Sequence, residues 1–355
     1  MGRTNHEITE THDLLDEHGH LIEPGYTKGL FMKYDRNRIK ANPLRIKEWD
    51  YYLVSTHDFA VALTVADNSY MGLDSISLLD FRIPWEHTNS PMQFLTRGKK
   101  HLPATSLSGD VKSAGKKYSI VFQHCGSYKI LRFHMDDFCD GKRIEGEIRL
   151  DRPDQESMII STPYAEDPLA FYYNQKLNCQ KAGGTVRFGD RVYDFNREDA
   201  YGVLDWGRGV WTRENVWYWG SASGCVGGKD FGWNIGYGFG DTSAASENML
   251  FYDGKAHKLS DVTFHIPNDD NPDCGPHRMD GVEFMKDWTF SSDDGRFEMH
   301  FTPVLDRKSC TDVGVICSDQ HQVFGYFDGQ AVLDDGTVIE VKDFPGFAEK
   351  VYNKW

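Results

Sequence analysis

Between Asp205 and Asn248 the sequence sets acids, an arginine and amides among broad rings: DWGRGVWTRENVWYWGSASGCVGGKDFGWNIGYGFGDTSAASEN. A carboxyl group enclosed by tryptophans is desolvated. That raises its pKa and holds its proton near neutrality, the state a general acid needs. Asp205 and Glu247 are the candidate proton carriers. Arg208 either orients a polar group of a substrate or ties Asp205 into a structural ion pair. Trp206, Trp211, Trp217, Trp219 and Trp233 offer flat faces to an organic ligand, and Asn234, Tyr237 and Asp241 add polar contacts. Ring faces also stabilise a developing carbocation, by roughly 0.5–2 kcal/mol per ring.

Several readings fit these residues. One is a lyase or isomerase that works without a cofactor, with Asp205 or Glu247 as proton donor. Another is a carbohydrate-cleaving enzyme using two of Asp205, Asp241 and Glu247, which requires carboxyls roughly 5 Å apart for retention or about 6.5–9.5 Å for inversion. A third is a carrier or sensor of a hydrophobic molecule. A fourth makes the aromatic segment a packing interface. Other chemistries find little support. The run GSASG has the spacing of a serine nucleophile elbow around Ser221 and Ser223, but strand-like sequence follows where a helix is needed. GYGFG, residues 236–240, has no βαβ context for a dinucleotide. The 14 histidines are scattered without a metal-binding spacing, so no metal and no cofactor is expected.

The elements that must carry these residues are strands. KRIEGEIRL sets Ile144, Ile148 and Leu150 on one face, and RFEMHFTPVL does the same with Phe297, Met299 and Phe301. Hairpin turns are expected at His57–Asp58, Gly189–Asp190, Asp253–Gly254 and Asp335–Gly336. Residues 5–18 are expected as a short helix, and 267–281 as a loop. In the aromatic segment Trp217 and Trp219 share one strand face. Phe231, Trp233, Ile235 and Tyr237 share another, with Gly232, Asn234, Gly236 and Gly238 opposite. Small residues on an interior face would leave a hollow for a ligand. Asn174 and Lys176 in YYNQK are candidate polar liners. Arg45, Lys47, Glu48 and Trp49 in RIKEWDYY read as a packed and solvated face.

The chain has 355 residues, 39% hydrophobic and 14% aromatic, enough for one large or two ordinary cores. Its net charge of −15 disfavours nucleic acid and anionic membrane as partners and otherwise reads as solvation, while the aromatic segment points to a small-molecule partner. Seven unevenly spaced cysteines and the lack of an apolar leader or a span of ~20 apolar residues lead us to expect a cytoplasmic protein. Many strands and scarce helix predict an all-β fold of two tandem barrels or half-barrels. The expected division is a polar extension over 1–25, one barrel over 26–195 and another over 196–355. Oligomeric state is not legible.

The segments NPLRIKEWDYY, FYYNQKLNC, LDWGRGVWTRENVWYWGSASG, FGWNIGYGFGDTSAASENMLFYDGKAHKL and DQHQVFGYFDGQAVLDDGTVIEVKDFPGFAEKVYNKW resemble the bacterial domain-of-unknown-function 2804 family. More distantly, the tandem-barrel pattern is similar to the calycin-like carotenoid 1,2-hydratase and AttH-like families. That resemblance implies two lipocalin-like halves and acid chemistry on an alkene in an apolar pocket, with Asp205–Trp206–Gly207 as the local counterpart.

Overall fold

The computed structural model describes residues 2–151, 154–269, 279–312 and 316–355. Cys274 and most of the 267–281 loop lie outside that set. Two large antiparallel sheets account for nearly all of the regular structure, and each curls around its own core. The central strands of the first run in the order Phe59–Asp67, Ile46–Ser55, Tyr201–Val210, Asp167–Phe188 and Lys142–Asp151. At the centre of the second lie Lys229–Tyr237, Glu214–Val226, Val338–Lys354 and Cys317–Val332. The fold is therefore all-β, as two curled half-barrel sheets. The sheets change over between Val210 and Glu214 rather than at 195/196, because Tyr201–Val210 pairs along its whole length with Ile46–Ser55.

Turn chemistry places the hairpins as expected. His57–Asp58 joins Ile46–Ser55 to Phe59–Asp67, and Asp253–Gly254 joins Met249–Tyr252 to Lys255–Lys258. Asp253, Gly254, Gly189 and Gly336 all take left-handed φ, which is what these tight connections require. Residues 5–18 do not form the expected helix. Ile8, Leu14 and Leu15 wedge into the first core, and His12–Asp13 instead pairs with Met32–Lys33. Tertiary burial of three apolar side chains outweighs local propensity here. Among the described residues no helix is long and apolar enough to cross a membrane.

Strand alternation gives each sheet two faces. One face of the second sheet packs Phe231, Trp233, Phe290, Phe297 and Phe327 into a solid core. The other faces the first sheet, and there Tyr51, Leu53, Val203, Trp219, Leu305, Phe324 and Phe347 form a third apolar cluster, a seam between the halves. A bulge in the Asp167–Phe188 strand, with Cys179 at φ +58°, sends Asn178 across that seam. Its Nδ2 donates to Ser221 Oγ at 2.8 Å and to the Trp233 carbonyl at 2.9 Å.

Candidate functional site

Period-two geometry decides which candidate residues meet. On Tyr201–Val210, Asp205 points into the seam, so Trp206 and Arg208, at odd spacings from it, point the opposite way. Arg208 is fully buried in the first core. It donates to Asp50 at 2.9 Å, to the carbonyls of Trp49 and Pro103, and stacks on Trp206 at 4.2 Å. It therefore neither pairs with Asp205 nor reaches the seam. Lys176 is the partner of Asp205 instead, at 2.9 Å, and Asn174 Nδ2 donates to the same Oδ1 at 2.6 Å. These residues sit on the neighbouring strand in register, Lys176 facing Asp205 and Asn174 facing Gly207.

The second sheet presents Trp217, Trp219 and Asn234 to this group. The Lys176 ammonium lies 3.7 Å above the Trp219 ring. Trp219 Nε1 donates to Asn234 Oδ1 at 2.7 Å, and Asn234 Nδ2 donates to the Glu247 carbonyl at 2.8 Å, which fixes the segment that carries Glu247. The Glu247 side chain is buried with no hydrogen-bond or ion-pair partner among the described residues. Burial pushes its pKa up to about 7, with the charges of Asp205 and Glu349 adding to the rise and Lys176 and Lys258 opposing it. Glu349, from Val338–Lys354, is a second buried carboxyl raised by burial to about 7. It is held at both oxygens, by Trp217 Nε1 at 3.0 Å and Gln322 Nε2 at 2.8 Å.

Beside the carboxyls the rings form an aromatic wall. Tyr172 stacks on Phe239 at 4.3 Å, Trp217 on Phe239 at 4.8 Å, and Trp211 meets Trp49 edge-on at 5.3 Å. Burial and the charges of Glu247 and Asp205 raise the pKa of Tyr172 well above that of a free phenol. Gly207 exists for this wall, because a Cβ there would overlap the Trp49 ring.

Other expected members lie elsewhere. Trp233 is wholly buried in the second core against Phe297, Phe327 and Phe344. Tyr237 stacks on Tyr218, also on the core side. Asp241 is exposed and caps a turn through the Ser243 amide. The expected hollow inside the barrel is not where the glycines are. Gly232, Asn234 and Gly236 face the seam. A Cβ on Gly232 would press on the Ala222 carbonyl and lie 2.8 Å from Cys179 Sγ, and one on Gly236 would stand 3.3 Å from the Glu247 carboxyl. These glycines admit the opposite half and Glu247 rather than lining a lumen. A pocket of about 20 Å³, room for one water, lies further along the seam between Leu53, Phe81, Ser221 and Phe347.

Asp205, Glu247, Trp211, Trp217, Trp219 and Asn234 are thus brought together with Asn174 and Lys176. Tyr51, Tyr172, Gln322 and Glu349 complete the cluster and were not singled out from the sequence. For Glu349 a signal exists, since an acid alternates with Phe347 and Val351 on one face of an apolar strand.

The family model Domain of unknown function (DUF2804) matches residues 5–355. No curated protein matches the sequence. Among solved structures, kievitone hydratase from Nectria haematococca is similar at 11% identity and TM-score 0.54, covering 86% of this chain and 89% of that one. CghA with Sch210972 gives 11% identity and TM-score 0.56, covering 96% of each chain. A putative AttH from Nitrosomonas europaea gives 10% identity and TM-score 0.52, over 91% and 96%. At such identities the likeness establishes the fold.

Proposed function

We propose a function from one premise: the chain belongs to the DUF2804 family, a family of unknown function. The protein binds a small organic molecule in the seam between its two halves and transfers a proton to it without a cofactor, as a lyase or isomerase does. The observation that carries this reading is Glu247, a buried carboxyl whose pKa burial raises to about 7 and which has no hydrogen-bond or ion-pair partner among the described residues. A buried acid of this kind costs stability unless a partner meets it.

In this reading Glu247 donates its proton to a double bond or to a leaving oxygen. Lys176, held by Asp205 and the Trp219 face, stabilises negative charge that develops on an oxygen of the substrate. The wall of Tyr172, Trp211, Trp217 and Phe239 excludes water and faces any developing cation. Glu349, raised by burial to about 7 like Glu247 but accepting from two N–H donors, is the group that takes a proton back. That two of the structurally similar proteins are a hydratase and a protein crystallised with a small molecule is consistent with this reading.

The test is proton exchange. The protein is incubated in D₂O with a panel of unsaturated and hydroxylated ring compounds, and deuterium uptake is followed by mass spectrometry. Uptake with the wild type that falls at least ~100-fold in Glu247→Gln supports the assignment. Uptake unchanged in that variant removes Glu247 from the chemistry. Binding with no uptake by any compound favours a carrier.

A further inference from the structure

Among the described residues the seam leaves three polar groups without partners, and their kinds specify what must meet them. Asn174 is fully buried, and its Nδ2 is committed to Asp205, so its Oδ1 is a bare acceptor. Asp205 accepts both of its contacts at Oδ1, from Asn174 and Lys176, which leaves Oδ2 open on a side chain that is still 8% exposed as a residue. Glu247 supplies a carboxyl with no partner among the described residues. Two buried acceptors therefore lie side by side, because Asn174 and Asp205 are hydrogen-bonded to each other, and a proton-bearing acid stands across from them.

A hydrocarbon would strand both acceptors in a dry site, which is penalised. An anion would confront the Asp205 carboxylate. A cation gains little, because Lys176 already pairs with Asp205 at 2.9 Å and would repel it. Neutral hydroxyls fit, since each donates to one acceptor and its oxygen accepts the acid's proton. The neighbouring rings of Tyr172, Phe239 and Trp217 stack in direct contact at 4.3–4.8 Å, and a flat ring extends such a stack at its half-buried Trp217 end.

We infer that the ligand of this site is an uncharged, flat ring compound carrying adjacent hydroxyl groups, which donate to Asn174 Oδ1 and Asp205 Oδ2. This rests on the seam site proposed above and adds the class of compound that the site selects.

The experiment compares four probes on the full chain by ligand-observed NMR at pH 7: 2,3-dihydroxynaphthalene, naphthalene, 2-naphthoate and 2-naphthylmethylammonium. Methyl β-glucoside serves as a hydroxylated compound that is not flat. The expected result is that the diol binds at least tenfold more tightly than each of the others. In Asp205→Asn, Oδ1 still accepts from Asn174 and Lys176, and the outer position becomes an N–H donor. The diol's advantage over naphthalene then falls to less than threefold. Asn174→Leu gives the same loss by removing the other acceptor, so either variant suffices if one fails to fold. Equal affinity for diol and naphthalene, tighter binding of a charged probe or of the glucoside, or no binding of the diol would each overturn the inference. Deuterium uptake that depends on Glu247 would survive any of those results, so failure here and failure of the proton-transfer reading are separable.

Discussion

Two buried lysine–aspartate pairs in this molecule have the same chemistry and opposite circumstances. In the first half, Asp74 is wholly buried and both its oxygens are occupied, Oδ1 by Lys100 and Oδ2 by four donors. Lys100 reaches them at 2.7 and 2.8 Å, Ser113 and Tyr118 donate at 2.7 Å, and Gln93 approaches at 3.4 Å. In the seam, Asp205 has one oxygen occupied and one open, its neighbour Asn174 has a bare acceptor, and Glu247 has no partner among the described residues. A saturated network holds a fold together, whereas a network left incomplete in a dry place is a site awaiting something. Burial and charge alone do not distinguish the two, but the count of filled hydrogen-bonding positions does.

The sharpest way to break this contrast is to change both aspartates to asparagine. In Asp74→Asn an N–H₂ is forced among four donors, and the loss is expected at about 3–5 kcal/mol, as for other disrupted buried pairs. Asp205→Asn can turn its amide nitrogen toward the open side and keep an acceptor on Lys176, so only the lost counter-charge is felt and its cost is expected at about 2 kcal/mol, below that of Asp74→Asn. Urea denaturation measures both. Equal losses would erase the distinction between the clusters. Arg208→Met belongs with the first of these. It strands Asp50 in the first core at about 3 kcal/mol or more while leaving binding in the seam intact, measured by denaturation and by ligand-observed NMR together.

The next effect runs the other way. The folded pKa of Glu247, about 7, lies above the unfolded value of 4.5. Between those limits the unfolded chain gives up its proton first, so stability falls as pH rises from about 4.5 to 7 and stays low above it. Glu247→Gln removes this penalty. The variant should match the wild type at pH 4.5 and exceed it at pH 8 by at most on the order of 3 kcal/mol. Parallel melting curves at the two pH values test this, and a variant less stable at pH 8 would contradict it.

The smallest effect concerns how the Glu247 segment is held. Asn5 Oδ1 accepts from the Ser246 amide at 2.8 Å, and the His6 amide donates to Ala244. Asn5→Ala should cost about 1 kcal/mol and speed hydrogen exchange at the Ser246 amide. Unchanged exchange there would show that the extension does not steady the acid.

Much of this arrangement was legible in the sequence because strand parity is a local property. The alternation of Trp217 and Trp219, the glycine face opposite Trp233, and the hairpin turns all follow from neighbours within a few residues. Asp205, Glu247, Asn174 and Lys176 could be named on residue type and setting. Pairing Asp205 with Arg208 failed on the same rule, since a spacing of three on a strand puts the two on opposite faces. Glu349 and Gln322 escaped notice because they reach the site only by long-range register, Val338–Lys354 pairing beside Glu214–Val226. The hollow expected behind these glycines is filled, and it was expected for a related reason. Periodicity shows that a strand has a small-residue face, but not whether that face looks into a barrel or at a second sheet.

The central claim is that the seam holds a carboxylic acid still protonated near neutrality. Infrared difference spectra of the wild type and Glu247→Gln between pH 4 and 9 address it directly. The expected result is a protonated-carboxyl C=O band that disappears with a midpoint near 7 in the wild type and loses the Glu247 share in the variant, where only the Glu349 carboxyl still contributes. A Glu247 carboxyl that has fully lost its proton by pH 5.5 would contradict it.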